Sequence, residues 1–322
     1  MEPSDLVEFV NEKFGREVGY TGNDSRLLVG KILTGIPVLD MMLGGGIPRG
    51  RIVEIIGAWS SGKSLISLMG VGGAQKAGEL GVWIDVEKAF DPLWAEVLGI
   101  SLSDLVVFRP NTGEEAFDLL EKMVDPRAGV SIVVLDSLAQ CIPTAEAKEE
   151  MNQQQMGLQA RMINKGLRKI VAANDNTAVI LINQTREKIG VMFGSPETLP
   201  GGKGQDFASS ILLRTSRGGW LTEKERRIGH MIKLRTDKNK LAPPWQTCEV
   251  PFYYKGLIDR EDGVLSLGVE LGFVVRSGPW YKYEGISVAG KEKMLDALRK
   301  NTDILEKLKK EIEFGREGEE DD

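Results

Sequence analysis

The sequence is short of several features that would fix a class of protein outright. Only two cysteines occur, Cys141 and Cys248. They are too few for a disulfide framework and are not spaced as a metal-binding pair, so a reducing cytoplasmic setting is expected. No apolar run approaches membrane length, and no apolar stretch follows a basic segment near the start, so no membrane partner is expected. Internal repeats are missing, and low complexity is confined to the acidic end. A surplus of one charge is also missing from most of the chain. The net charge is −6, but residues 311–322 alone hold seven acids against Arg316, which leaves the rest formally neutral. What remains is 322 residues, 42% hydrophobic and 27% charged. That is enough for one large α/β core and a smaller appendage.

One stretch organises the chain: Gly57-Ala58-Trp59-Ser60-Ser61-Gly62-Lys63-Ser64. The β-branched run Ile52-Val53-Glu54-Ile55-Ile56 before it reads as a buried strand, and Leu65-Ile66-Ser67-Leu68-Met69 after it reads as a helix opening. G-x-x-x-x-G-K-[ST] between strand and helix is the phosphate-binding P-loop context. Gly57 and Gly62 let backbone N–H groups turn toward a phosphate chain at a helix N-terminus. Lys63 is placed to reach the β- and γ-phosphates and Ser64 to complete a Mg²⁺ shell. Residues 57–65, through Leu65, form the candidate cradle for a nucleoside triphosphate.

Further strand-like runs at 81–87, 105–108, 132–135, 179–182 and 211–213 alternate with helical stretches at 114–124 and 158–173. Such alternation predicts a mostly parallel sheet covered on both faces, with its site at the carboxyl ends of the strands. Glu87, Asp136 and Asn183-Gln184 then share one rim with the P-loop. Asp136 suits the metal role, and Glu87 can orient a water for attack on the γ-phosphate. Asp91 and Trp94 follow on one helical face, where the indole could stack on a base. Asp5 and Glu8 have capping-box spacing ahead of a Leu6/Phe9/Val10/Phe14 stripe, which must fold back onto its own domain or dock on a neighbouring subunit. Residues 140–155 and 185–204 form two long connections near the rim. Residues 224–240 hold seven bases against Glu225 and Asp237, a segment that could face a polyanion.

From about residue 30 to 300 the chain resembles the RecA-type recombinases. The motifs are the P-loop, Ile84-Asp85-Val86-Glu87 with Asp91-Pro92, Leu135-Asp136-Ser137, Met156–Met162 and Asn183-Gln184. With them stand Lys188–Gly194 followed by Pro196-Glu197-Thr198 and Gly201-Gly202, then Lys238-Asn239-Lys240 and Gly278-Pro279-Trp280-Tyr281. The 188–202 run is the most specific. Trp59, Asp206 and Leu212 depart from the family's pattern, at positions that bear on contacts between subunits.

The resemblance implies an ATP- and Mg²⁺-dependent enzyme that forms a helical filament on single-stranded DNA and pairs it with homologous double-stranded DNA. It gives Glu87 the catalytic role and Gln184 that of a γ-phosphate sensor. Lys238 and Lys240 would reach across the subunit interface to the neighbour's ATP. Arg161, Arg168, Arg186, Lys188, Ile189, Met192, Phe193, Gly201 and Gly202 become candidate DNA contacts. The expected fold is a RecA-like α/β core over 32–258. An N-terminal helical arm spans 1–31, a small α+β domain with helical stretches around 264–271 and 291–310 spans 259–310, and a disordered acidic tail spans 311–322. A hexameric helicase motor and a binding-only filament mediator are the competing readings. The single apolar tip Met192-Phe193 and the lack of a separate N-terminal helical domain disfavour the first. The intact Lys63, Glu87 and Asp136 set disfavours the second.

Overall fold

The computed structural model describes residues 2–148, 157–187, 197–198, 204–223, 225–255, 257–258 and 260–317. In chain order, α1 (Pro3–Phe14), the strand pair β1 (Lys31–Ile32) and β2 (Ile47–Pro48), and α2 (Pro37–Met42) precede the core. Then come β3 (Ile52–Gly57), α3 (Lys63–Lys76), β4 (Leu80–Asp85), α4 (Pro92–Val97), β5 (Leu105–Phe108), α5 (Gly113–Met123) and β6 (Val130–Asp136). After α6 (Thr144–Lys148) and α7 (Leu158–Ala173) follow β7 (Ala178–Gln184) and the short pair β8 (Arg186–Glu187) and β9 (Glu197–Thr198). The core closes with α8 (Gly204–Ala208), β10 (Ile211–Glu223), β11 (Arg226–Asn239), β12 (Thr247–Tyr253) and β13 (Leu257–Ile258).

The nine-stranded sheet runs β13-β12-β11-β10-β3-β7-β6-β4-β5. From β10 to β5 every pairing is parallel, and from β10 to β13 every pairing is antiparallel. The P-loop strand β3 lies between β10 and β7, and all six of its residues are buried. This explains its unbroken apolar run, because a parallel strand covered on both faces has no solvent side to alternate with. One apolar cluster packs Ile55, Ile66 and Trp83 on one face of the sheet, and a second packs Leu120, Leu135 and Ile163 on the other. The sheet's faces are thus rigid walls, and its carboxyl edge is left to hold the site.

Four expectations change. The N-terminal capping interaction is one turn earlier than the spacing suggested: the Asp5 carboxylate accepts the Glu2 N–H at 3.1 Å. The stripe of α1 does not fold back onto the core, since Leu6, Phe9 and Phe14 are each more than half exposed. Asn11 ties the helix locally, its side-chain oxygen accepting from the N–H groups of Val18 and Gly19. Third, the basic run, to which no element was assigned, forms β11, hairpinned onto a 13-residue β10.

Fourth, the small C-terminal domain is built from α9 (Arg260–Glu270), β14 (Val275–Ser277), β15 (Trp280–Tyr283), β16 (Ile286–Ala289), α10 (Lys291–Lys300) and α11 (Thr302–Glu317). The stretch read as one helix over 291–310 is two, parted at Asn301. The second helix runs to Glu317, into the supposed tail. The reason is apolar spacing: Leu305, Leu308 and Ile312 are buried on one face at i, i+3 and i+7. The Tyr283 hydroxyl also donates to Glu311 at 2.8 Å. Residues 318–322, the remainder of the supposed tail, lie outside the described residues.

Candidate nucleotide and DNA site

At the carboxyl edge of β3 the chain turns through the Gly57–Ser64 loop into α3. Gly57 must be glycine: a Cβ there would lie 2.3 Å from the backbone oxygen of Thr215 on β10. Gly62 adopts a left-handed φ of 95° at the start of α3, which glycine does without strain. The loop is pinned from below. The Ser61 hydroxyl donates to the Ala58 carbonyl at 2.8 Å and meets the Thr215 hydroxyl at 2.6 Å. Thr215 was missed by sequence reasoning because nothing in a strand sequence marks which residue will face a loop far away in the chain.

Lys63 is 7% exposed. Its ammonium donates to the carbonyls of Gly57 at 3.1 Å and Ala58 at 2.6 Å. Burial pushes its pKa down, and the charges of Asp136 and Glu87 oppose that shift. A buried ammonium folded onto its own loop is poised to exchange carbonyl partners for phosphate oxygens. The Ser64 hydroxyl donates to Asp136 Oδ2 at 3.0 Å. Burial, aided by the nearby charges of Glu87 and Asp85, pushes the Asp136 carboxyl up to about 7. Crowded acids short of positive charge, with a hydroxyl beside them, form a hard oxygen donor set. That set fits Mg²⁺, which takes one or two protein ligands and fills its shell with water and phosphate oxygens.

Glu87 follows β4, where the N–H groups of Val86 and Glu87 both donate to the Asp136 carbonyl. Its Oε1 accepts from Gln184 Nε2 at 2.7 Å and from the hydroxyl of Ser137. Glu87, Gln184, Asp136, Lys63 and Ser64 are therefore linked at one rim, as the strand order demanded. Ser137 is the member to which no role was given, although it stands in the Leu135-Asp136-Ser137 motif; the peptide joining it to Asp136 is cis. Asn183 is not at the rim. It is fully buried beneath Gln184.

Asp91 caps α4, accepting from the N–H groups of Leu93 and Trp94. Trp94 is not an open stacking platform, because it is partly buried and packs edge-on against Phe252 at 6.0 Å. Trp59 is 81% exposed on the loop. Lys238 points into its own subunit, donating to the Ser209 carbonyl at 2.6 Å, and Lys240 is exposed.

Arg161 and Arg168 are exposed on α7 at i, i+7 spacing, which puts them on one face. Arg186 belongs to β8, whose backbone pairs with β9. Lys188, Ile189, Met192, Phe193, Gly201 and Gly202 lie outside the described residues. The basic run divides in two. Lys233 pairs with Glu249, while Arg235 and Arg214 both pair with Asp237. Nearer the hairpin tip, Arg217 and Arg227 stack on Trp220, at 4.8 and 4.2 Å from the ring centre.

The family model described as the RecA N-terminal domain matches residues 4–259, and that of the RecA C-terminal domain matches residues 263–314. The chain belongs to the RecA family. Among its relatives, Protein RecA of Frankia casuarinae is 43% identical over 308 residues, covering 94% of this chain and 89% of that protein. Protein RecA of Corynebacterium aurimucosum is 42% identical over 311 residues, covering 95% and 82%. Protein RecA of Mycobacteroides abscessus is 40% identical over 308 residues, covering 94% and 89%. RecA membership makes this a nucleotide-binding, DNA-dependent ATPase and a recombinase whose activity is strand exchange. Among the described residues no helix is long and apolar enough to cross a membrane.

Proposed function

We propose that this protein works in the cytoplasm as a helical filament on single-stranded DNA. It hydrolyses ATP with Mg²⁺ at the Gly57–Ser64 cradle and pairs the bound strand with a homologous duplex. The observation that carries this reading is the hydrogen bond from Gln184 to Glu87. It joins the carboxylate best placed for hydrolysis to the residue from which the 185–203 connection departs.

In this reading Lys63 and the loop N–H groups bind the phosphates, and Ser64 and Asp136 hold the metal. Bound there, Mg²⁺ would neutralise charge on the β- and γ-phosphoryl oxygens. Glu87 orients the attacking water and accepts its proton. Gln184 and Ser137 occupy one Glu87 oxygen, which stays committed until Gln184 turns its amide to a γ-phosphate. Asp91 and Trp94 border the base. Arg161, Arg168, Arg186 and Lys188 take the DNA backbone, while Ile189, Met192, Phe193, Gly201 and Gly202 line the strand. Double-stranded DNA is the second substrate. The exposed α1 stripe docks on the adjacent subunit, which explains why it has no cover in one chain.

Lys238 and Lys240 serve the neighbour's nucleotide. A cation delivered across an interface stabilises the transferring phosphoryl group only after assembly, which makes hydrolysis depend on DNA. Mixing tests this. A Lys238→Ala/Lys240→Ala variant and a Glu87→Gln variant should each be nearly inactive on DNA, and together they should recover turnover. No recovery in filaments that contain both subunits removes the trans role.

A further inference from the structure

Beneath the rim lies a run of polar side chains to which the roles above assign nothing. Glu54 on β3, Asn183 on β7, Gln205 on α8 and Ser209 ahead of β10 are all 0% exposed. A carboxylate at such depth is costly unless donors reach it. Asn183 Nδ2 donates to Glu54 Oε1 at 3.0 Å, and the Ser209 hydroxyl donates to Oε2 at 3.2 Å. Asn183 Nδ2 also donates to Gln205 Oε1 at 2.8 Å, and the Ser209 N–H donates to the Gln205 carbonyl at 3.0 Å. These bonds close a ring around Glu54.

Both ends of the run touch the chemistry. Asn183 Oδ1 accepts from the backbone N–H of Gln184 at 3.0 Å, and the Gln184 side chain donates to Glu87. At the far end the Ser209 carbonyl accepts from Lys238 Nζ at 2.6 Å. An unbroken line of hydrogen bonds thus runs from the hydrolytic carboxylate of one site to the lysine assigned to the next.

We propose that Glu54 and Ser209 are positioning residues that set Lys238 for the neighbouring subunit and tie that setting to Gln184 of their own subunit. The inference rests on the trans role of Lys238 proposed above. Ser209 has its N–H, its hydroxyl and its carbonyl all committed, so Glu54 shares with the backbone bonds of Ser209 and Ser210 the setting of the carbonyl that orients Lys238. Without the hydroxyl bond, that peptide keeps the Ser210 N–H donation to the Ile52 carbonyl at 2.8 Å but loses its side-chain anchor, and the bearing of the ammonium shifts. If the ring were interior packing alone, its loss would lower stability and disturb only its own site.

The discriminating experiment dilutes wild-type subunits into an excess of Glu87→Gln subunits on single-stranded DNA and measures ATP turnover per wild-type subunit. Incorporation is checked by sedimentation and imaging. The excess subunit contributes lysines but no hydrolysis, so it reports only what it does for its neighbour. Adding Ser209→Ala to the excess subunit should lower wild-type turnover by about tenfold, within what an ångström of misplacement costs. Glu54→Gln, which keeps the side-chain volume, serves as a second variant with the same expectation. Lys238→Ala/Lys240→Ala in the excess subunit is the control. If the control lowers turnover while both Ser209→Ala and Glu54→Gln leave it unchanged, the coupling is refuted and the trans role stands. If the control also has no effect, both are refuted.

Discussion

Thr215→Val is the sharpest probe of how the phosphate loop is held. The change keeps the shape of a 2% exposed side chain and deletes one hydroxyl. That hydroxyl meets Ser61 Oγ at 2.6 Å and donates to the Ile56 carbonyl at 3.3 Å. Ser61 keeps its donation to Ala58 at 2.8 Å, so no donor is orphaned and the cost sits at the low end. At about 1 kcal/mol for each of two bonds, the loss is about 1–2 kcal/mol. That corresponds to a drop in melting temperature of roughly 2–6 °C for a chain of this size. Nucleotide affinity should weaken with it, because Ser61 ties the loop to β10. Thr215→Ser, which keeps the hydroxyl, should restore affinity though not all of the stability. Melting curves with and without ATP read both effects. A Thr215→Val protein unchanged in both would show that the Ser61–Thr215 contact does not hold the loop.

Two further outcomes follow from the site and the C-terminal domain. The Asp136 carboxyl is raised from 3.8 to about 7, so the native state holds this proton more tightly than the unfolded chain does. Its contribution to stability is full below the unfolded value and is lost as pH rises toward 7. Asp136→Asn should therefore raise the melting temperature of metal-free protein at pH 8 and leave it little changed near pH 4, while abolishing Mg²⁺-dependent ATP binding; a pH series of melting curves checks the sign. In the C-terminal domain, ending the chain after Lys310 removes the buried Ile312 and the Glu311 partner of Tyr283. That should destabilise the domain by about 2–3 kcal/mol. Ending it after Glu317 should leave stability unchanged and tighten duplex binding at low salt, an effect that fades as salt rises. Equal melting temperatures for the two truncations, or duplex affinity that ignores the shorter one, would contradict this.

The parallel half of the fold and most of the nucleotide rim were legible in the sequence, for a physical reason. Strands buried on both faces read as unbroken β-branched runs, and a P-loop needs its glycines, lysine and serine at fixed spacing. The long β10–β11 hairpin was not legible. Its outer residues alternate with Arg217, Trp220, Arg227 and Lys233, so only its apolar first turn, Ile211–Leu213, showed. Long-range polar contacts were equally hidden. Glu54 passed as one residue of the buried run 52–56, with no partner indicated, and Asn183 looked like a rim residue; both are fully buried and bonded to each other across β3 and β7. The division of 291–310 at Asn301, and the helix reaching Glu317, turn on which apolar residues find a face to bury against. Spacing alone does not reveal that face.

The most direct measurement is of Glu87→Gln. The substitution keeps the side chain's size and an oxygen able to accept from Ser137 and Gln184, but removes the base. ATP binding to the isolated subunit should stay within a few-fold of wild type, whereas Lys63→Ala should lose it. On single-stranded DNA, Glu87→Gln should still form filaments while ATP turnover falls by about 10²–10⁴, the range for a positioned general base. Turnover near that of wild type in those filaments would contradict the placing of hydrolysis at Glu87.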